Sequence, residues 1–235
     1  MKIQCELLFL SFITAQCYAG IMPSQSRIVY HHQDREQTLM LANTNDYPVI
    51  AQTWIDRGEG SPDSPNVPFI SIPPITQLAP SDMKGVRIIY NQKELPQDRE
   101  SLFWFNMYEV PPEKKGDLPA NSILVTMNTQ IKLFYRPEGI TRTPENVFPQ
   151  VSCQKINAGE ISCSNPSPIH LSVIAMTLET QSNQKLAAEN SDFMLNPFSQ
   201  KTFIFSKFSG LPRQITAEYI NDYGQKMHAL INNIR

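Results

Sequence analysis

The sequence predicts an all-β protein made of two β-sandwiches of the immunoglobulin type. Nineteen prolines and nine glycines are spread through its 235 residues, so turns recur throughout the chain. Between the turns lie short runs rich in β-branched and aromatic residues, at the spacing expected of sandwich strands. One Pro-rich stretch, Pro137 to Pro149 (PEGITRTPENVFP), divides these runs into two sets. A chain of this length accommodates two domains of ordinary size. Net charge is −2 and the pI about 6.1, which gives no electrostatic footprint for nucleic acid or an anionic membrane surface.

In chain order, residues 1–19 (MKIQCELLFLSFITAQCYA) read as an export signal. Lys2 is the positive start, Leu7 to Ile13 the apolar core, and Cys17-Tyr18-Ala19 the small-x-small cleavage site. The apolar run is too short to span a bilayer, so the mature chain is expected not to insert in a membrane. Gln16 is a poor residue before a lipidated cysteine, which argues against an anchor at Cys17. The first domain, residues 20–140, then carries strands at Ser26 to Tyr30, Gln37 to Ala42 and Val49 to Ile55. Asp56 to Pro68 is a polar loop. Phe69 to Leu78 is apolar but holds Pro73-Pro74, which confines it to an edge or a bulge. Val86 to Tyr90 and Leu102 to Tyr108 follow as strands, with Trp54 and Trp104 read as core residues. Pro111 to Ala120 (PPEKKGDLPA) is a short surface hairpin loop.

Asn121 to Tyr135 is the longest β-type run. Strand alternation puts Ile123, Val125, Met127, Thr129 and Ile131 on one face and Leu124, Thr126, Asn128, Gln130 and Lys132 on the other. The run has no proline and no charge before Lys132, so little in it blunts an exposed edge. It reads either as an ordinary buried strand or as a strand offered to a partner, and periodicity does not decide between them. An uncovered apolar run also opens a route to self-association of the free protein.

The second domain, residues 141–235, has strands at 151–156, 160–163, 169–177, 184–188, 201–205 and 215–220, with a loop-like stretch at Ser191 to Gln200. With the signal removed, only Cys153 and Cys163 remain. A hairpin centred on Ala158 places them opposite each other, at a separation a disulfide can bridge. In an oxidising compartment they form a staple expected to be worth about 3 kcal/mol. Two cysteines without a nearby histidine do not make a zinc site.

Enzyme chemistry lacks its parts. The histidines His31, His32, His170 and His228 have no metal-ligand spacing, and there is no G-x-S-x-G elbow and no glycine-rich phosphate loop. No cofactor, no metal and no catalytic residue is expected.

Three separated motifs carry a resemblance: LPQDRESLFWFN (Leu95 to Asn106), IKLFYRP (Ile131 to Pro137) and YINDYG (Tyr219 to Gly224). In this order they resemble the periplasmic pilus chaperone family, the PapD-like proteins. The short loop before Asn121, with no flanking cysteines, is similar to the family's short-loop kind. The resemblance implies two immunoglobulin-like domains set at an angle. It also implies a non-enzymatic periplasmic chaperone that binds, folds and caps pilus (fimbrial) subunits and delivers them to an outer-membrane usher.

Residue by residue, the resemblance aligns Arg27 and Lys132 with the two cleft cations that hold a subunit's C-terminal carboxylate. It makes Ile123, Val125 and Met127 the side chains donated to the subunit's open groove, each worth roughly 1.5–3 kcal/mol on burial before ordering costs. It matches Glu100, Arg136 and Asp222 to a charged trio between the domains, with a structural role. The competing reading is an exported immunoglobulin-like adhesion or structural module, in which the 121–135 strand is internal and binds nothing. An exported hydrolase is disfavoured by the missing nucleophile motif.

Overall fold

The computed structural model describes residues 20–112 and 126–234. The export signal, with Cys5 and Cys17, and most of the loop before Asn121 lie outside the described residues, as do Ile123 and Val125.

The first nine strands are β1 (Ile21–Pro23), β2 (Arg27–His31), β3 (Gln37–Asn43), β4 (Val49–Asp56), β5 (Phe69–Ile72), β6 (Ile75–Leu78), β7 (Met83–Tyr90), β8 (Ser101–Val110) and β9 (Met127–Arg136). They form a four-stranded sheet, ordered β1-β3-β7-β5, and a five-stranded sheet, ordered β2-β9-β8-β4-β6. Alternation along each strand sends one set of side chains inward. Leu39, Leu41, Val86 and Ile88 of one sheet face Phe103, Phe105, Leu133 and Tyr135 of the other, all essentially sealed from water. Phe69 knits this core, its ring 5.2 Å from Phe103 and 5.3 Å from Tyr30.

Pro73-Pro74 has a clear structural consequence. The apolar run from Phe69 to Leu78 breaks there, with β5 at the edge of one sheet and β6 at the edge of the other. Proline lacks the donor that a central ladder position needs, so a change of sheet is the natural place for the pair. The Pro74 carbonyl still accepts a bond from the Thr53 amide at 2.8 Å.

The tryptophans depart from the expectation. Trp54 and Trp104 are only half-buried, because both point away from the core on the outer face of the five-stranded sheet. The inward positions beside Trp104 belong to Phe103 and Phe105. In an aromatic-rich strand, composition does not say which alternate set faces in.

The connection between the sandwiches is not all loop. α1 (Pro144–Val147) and a following 3₁₀ turn, Phe148–Gln150, occupy its second half, with Pro144 in the first helical turn. Val147 and Phe148 are buried in the second core. That sandwich comprises β10 (Ser152–Asn157), β11 (Glu160–Asn165), β12 (Ser172–Glu179), β13 (Lys185–Ala187), β14 (Ser199–Ile204), β15 (Gln214–Ile220), β16 (Lys226–Ile231) and β17 (Asn233–Ile234). Its sheets are ordered β14-β11-β10-β17 and β13-β12-β15-β16. β10 and β11 form the cysteine hairpin, Cys153 is the register partner of Cys163, and the two are disulfide-bonded. The turn is tighter than one centred on Ala158: Asn157 pairs with Glu160, and the register shifts between Lys155 and Asn157. Gly159 takes φ +73° there, and a Cβ would meet the Phe205 carbonyl at 2.9 Å.

Candidate functional site

The site is built on the pairing of β9. On one side β9 runs antiparallel to β8, from Glu109 opposite Met127 to Ser101 opposite Tyr135. On the other side it runs parallel to β2, but only from Lys132, opposite Arg27, to Arg136, opposite His31. Among the described residues, Met127 to Ile131 therefore has one ladder partner and one open edge. The strand also changes character along its length. Ile131, Leu133 and Tyr135 are buried in the first core, whereas Met127 is half exposed on the same face.

Arg27 and Lys132 stand side by side where the parallel pairing begins. Arg27 is only 8% exposed, and its Nη1 donates to the Ile220 carbonyl of the second sandwich at 3.0 Å. Its Nε is buried and has no partner among the described residues. Lys132 is half-buried, its ammonium 5.6 Å from the centre of the Trp104 ring. Burial, and after it the Arg27 charge, hold the Lys132 ammonium below the usual lysine range. Asp192 of the second sandwich partly offsets this, and is itself paired with Lys201. Burial likewise lowers the Arg27 guanidinium, with Asp222 and Glu100 opposing. Two adjacent, partly dehydrated cations with an unfilled donor are electrostatically suited to an anion.

Beside them lies a cluster that the sequence did not single out. Asn106 of β8 is fully buried, and its Oδ1 accepts from Asn128 Nδ2 at 3.1 Å and from Gln130 Nε2 at 2.8 Å. Its own amide nitrogen donates to the Trp104 carbonyl. One amide thus ties down two side chains of the open-edged part of β9. The available signal was a lone Asn inside an aromatic strand, where an amide needs partners.

Glu100, Arg136 and Asp222 come together between the sandwiches. Arg136 Nε donates to Glu100 Oε1 at 2.7 Å, and its Nη1 and Nη2 donate to the two Asp222 oxygens at 2.8 and 3.2 Å. Burial works against the Arg136 charge, but the bonds to Asp222 and the charge of Glu100 outweigh it and raise its pKa. His170 is a fourth member that sequence reasoning missed: its backbone N–H donates to Glu100 Oε2 at 2.8 Å, and its Nδ1 lies 3.2 Å from the same oxygen. Of the other histidines, His31 is the register partner of Arg136 on β2, His32 Nδ1 is 3.0 Å from the Tyr135 hydroxyl, and His228 lies near Glu218. Gly224 takes φ +79° against the first sandwich, and a Cβ there would stand 2.5 Å from Ser26 Oγ. Arg99 lies 5.1 Å over the Phe198 ring on the opposite domain.

Two immunoglobulin-like sandwiches joined by a buried ion network, with a cation pair where the β2 pairing of β9 stops, are the fold of a pilus-assembly chaperone. The chain belongs to the PapD-like pili assembly chaperone family. The family model described as "Pili and flagellar-assembly chaperone, PapD N-terminal domain" matches residues 20–141, and "Pili assembly chaperone PapD, C-terminal domain" matches residues 148–230. Chaperone protein PapD of Escherichia coli is 32% identical over 220 residues, covering 91% of this chain and 86% of that protein. The fimbrial chaperone YqiH of E. coli K12, itself uncharacterized, is 31% identical over 227 residues, covering 92% and 84%. Among solved structures, the CupB2 chaperone of Pseudomonas aeruginosa superimposes with a TM-score of 0.73 at 29% identity, covering 89% of this chain and 99% of that one. The YadV chaperone gives 0.74 at 26% identity, covering 89% and 98%. The family is made up of chaperones, not enzymes. No helix among the described residues is long and apolar enough to cross a membrane.

Proposed function

We propose that this chain is a periplasmic chaperone that caps pilus subunits by lending them the open edge of β9, and hands them to an outer-membrane usher. The observation that carries this reading is the placement of Arg27 and Lys132 where the second pairing of β9 stops. A subunit chain whose terminal carboxylate sits on the cation pair would find the unpaired edge of Met127 to Ile131 directly ahead of it. The buried Arg27 Nε–H is a donor that such a carboxylate would satisfy, and charge-assisted bonds of this kind are about twice as strong as neutral ones. Fixing the terminus also fixes the register, because a slip of one residue reverses which side chains face the groove.

From Met127 back toward the loop, the donated residues are Met127, Val125 and Ile123, the last two outside the described residues. Main-chain bonds along the edge supply affinity, and alternate side chains fill the subunit's groove. Release needs no cofactor in this reading, because a better-fitting strand from the next subunit displaces the chaperone's own. Family membership supports the subunit as partner, and the usher follows from the same reading.

The test is to purify the tagged mature protein from its native periplasm, wild type beside Lys132→Ala, and weigh every co-purifying species. A small exported subunit bound to wild type and lost from Lys132→Ala is the expected result. Retention by both proteins removes the anchor role of Lys132. Absence of any partner, with candidate subunits expressed, favours the adhesion-module reading.

A further inference from the structure

Three described methionines are open to solvent: Met22 at 49%, Met83 at 58% and Met127 at 50%. Met107 and Met176 are sealed in the two cores at 2% and 1%. Met22 and Met83 share one cross-strand row on the four-stranded sheet, each the register partner of Ala42. Met127 is different. It occupies the segment of β9 that pairs with β8 alone, on the same face as Ile131. Its neighbours Asn128 and Gln130 are tied to Asn106, so the backbone that presents it is held in place while its side chain stays in water.

We propose that Met127 is a modification site at which a hydroperoxide-class oxidant switches off subunit binding, an inference that rests on the strand-lending reading above. A methionine thioether is flexible, apolar and exposed to oxygen transfer. Its sulfur attacks one oxygen of hydrogen peroxide and gives up two electrons as the S–O bond forms and the O–O bond breaks. The departing hydroxide takes the proton left on the new S–O group and leaves as water. The sulfoxide is polar and chiral, and an apolar groove built for the thioether has no partner for the S=O oxygen. A seated subunit covers Met127, so the reaction is confined to the empty chaperone. Oxidative stress would then silence unloaded molecules and spare loaded ones, and sulfoxide reduction would restore them.

The experiment treats the mature protein with graded hydrogen peroxide, free and pre-loaded with the subunit that co-purifies with the wild-type chain. Peptide mass mapping reads the gain of one oxygen at each methionine, and binding of that subunit is measured afterwards. Each protein is compared with its own untreated form, so differences in starting affinity drop out. In the free wild type, Met127 is expected to gain oxygen along with Met22 and Met83 and ahead of Met107 and Met176, with binding falling roughly tenfold or more. Pre-loading should protect Met127 but leave Met22 and Met83 reactive. Met127→Leu should keep its own binding after treatment, whereas the double variant Met22→Leu/Met83→Leu should lose binding as wild type does.

Several results overturn the inference while leaving the chaperone reading intact. They are oxygen gained at Met127 with binding unchanged, no oxygen gained there at a dose that oxidises Met22 and Met83, or equal loss of binding in treated Met127→Leu. Failure of the untreated wild type to bind any subunit overturns the strand-lending reading itself, and the inference with it.

Discussion

At the scale of single residues, the cation pair works against the stability of the protein that carries it. Burial and the neighbouring Arg27 depress the pKa of Lys132 in the folded state. A lysine whose folded pKa lies below its unfolded value binds fewer protons when folded, so stability increases with pH through that interval. The penalty is present in full below the depressed folded pKa and fades as pH rises from there to the unfolded value. Replacing Lys132 by Met keeps the stem against Trp104 and removes the charge. Lys132→Met is therefore expected to raise the Tm of the free protein by about 1–3 °C in calorimetry while weakening subunit binding. An unchanged or lowered Tm would show that the charge is not strained. A bound carboxylate favours the charged lysine, so affinity should fall as pH climbs toward the alkaline side, measured by calorimetric titration at constant ionic strength. It should also fall with added salt. Lys132, Glu100, Arg136 and Asp222 all lie in the three motifs, and Arg27 comes from the resemblance alone. The roles of Asn106 and His170 were not legible, although Asn106 closes one of the motifs, because what distinguishes each is a partner far along the chain: Gln130 for one and Glu100 for the other.

At the scale of elements, β9 is held open-edged by its neighbours rather than by its own sequence. From Met127 to Ile131 it lacks β2, so β8 and the Asn106 amide are what keep it extended. Asn106→Leu removes both acceptor contacts and leaves the Trp104 carbonyl without its side-chain donor. Amide hydrogen exchange in Met127 to Ile131 of the free protein should quicken by about tenfold, and Asn106→Asp, which keeps the acceptor, should recover part of the protection. Equal exchange in all three proteins would assign the strand's order to the ladder alone. In the other sandwich, the Cys153–Cys163 bridge closes a short hairpin between β14 and β17. Reducing it should cost about 2–3 kcal/mol in urea denaturation of the second domain. The first domain contains no cysteine, so it responds only through the ion network it shares with the second.

Element boundaries also show where sequence reading stops. Long alternating runs such as Val49 to Ile55 were legible as strands because one face is wholly buried. β1, with three residues, is too short to show a period, and β16 was missed because Lys226 and His228 interrupt a run whose burial is only partial. The Pro-rich connection read only as a boundary between domains, although Pro144 fits the first turn of α1 without loss of a bond.

At the scale of the whole molecule, the two sandwiches are joined by charge. Arg136 lies on β9, the strand that carries Lys132, and its guanidinium grips Glu100 on one side and Asp222 of the second domain on the other. Glu100 also receives the His170 backbone N–H and sends its own amide to the Pro168 carbonyl, so it too spans the boundary. Its side chain is 1% exposed, against 21% for Asp222. That difference sets the order of the mutational effects. Arg136→Leu leaves a sealed carboxylate without its cation and should cost about 3–5 kcal/mol. Asp222→Asn leaves Arg136 still paired with Glu100 at a partly wet site, and should cost about 1 kcal/mol or less. Both tryptophans lie in the first domain, so their fluorescence reads its unfolding alone, while hydrogen exchange in β12 and β15 reads the second. In wild type the two probes should report one urea transition, because either domain loses the shared network when the other unfolds. Arg136→Leu should separate them and lower the first-domain midpoint. Subunit binding should fall as well, although neither cation has been touched, because Arg27 reaches across the same boundary to the Ile220 carbonyl. Coincident transitions in Arg136→Leu with less than about 1 kcal/mol lost would mean that packing, not the ion network, sets the arrangement of the domains.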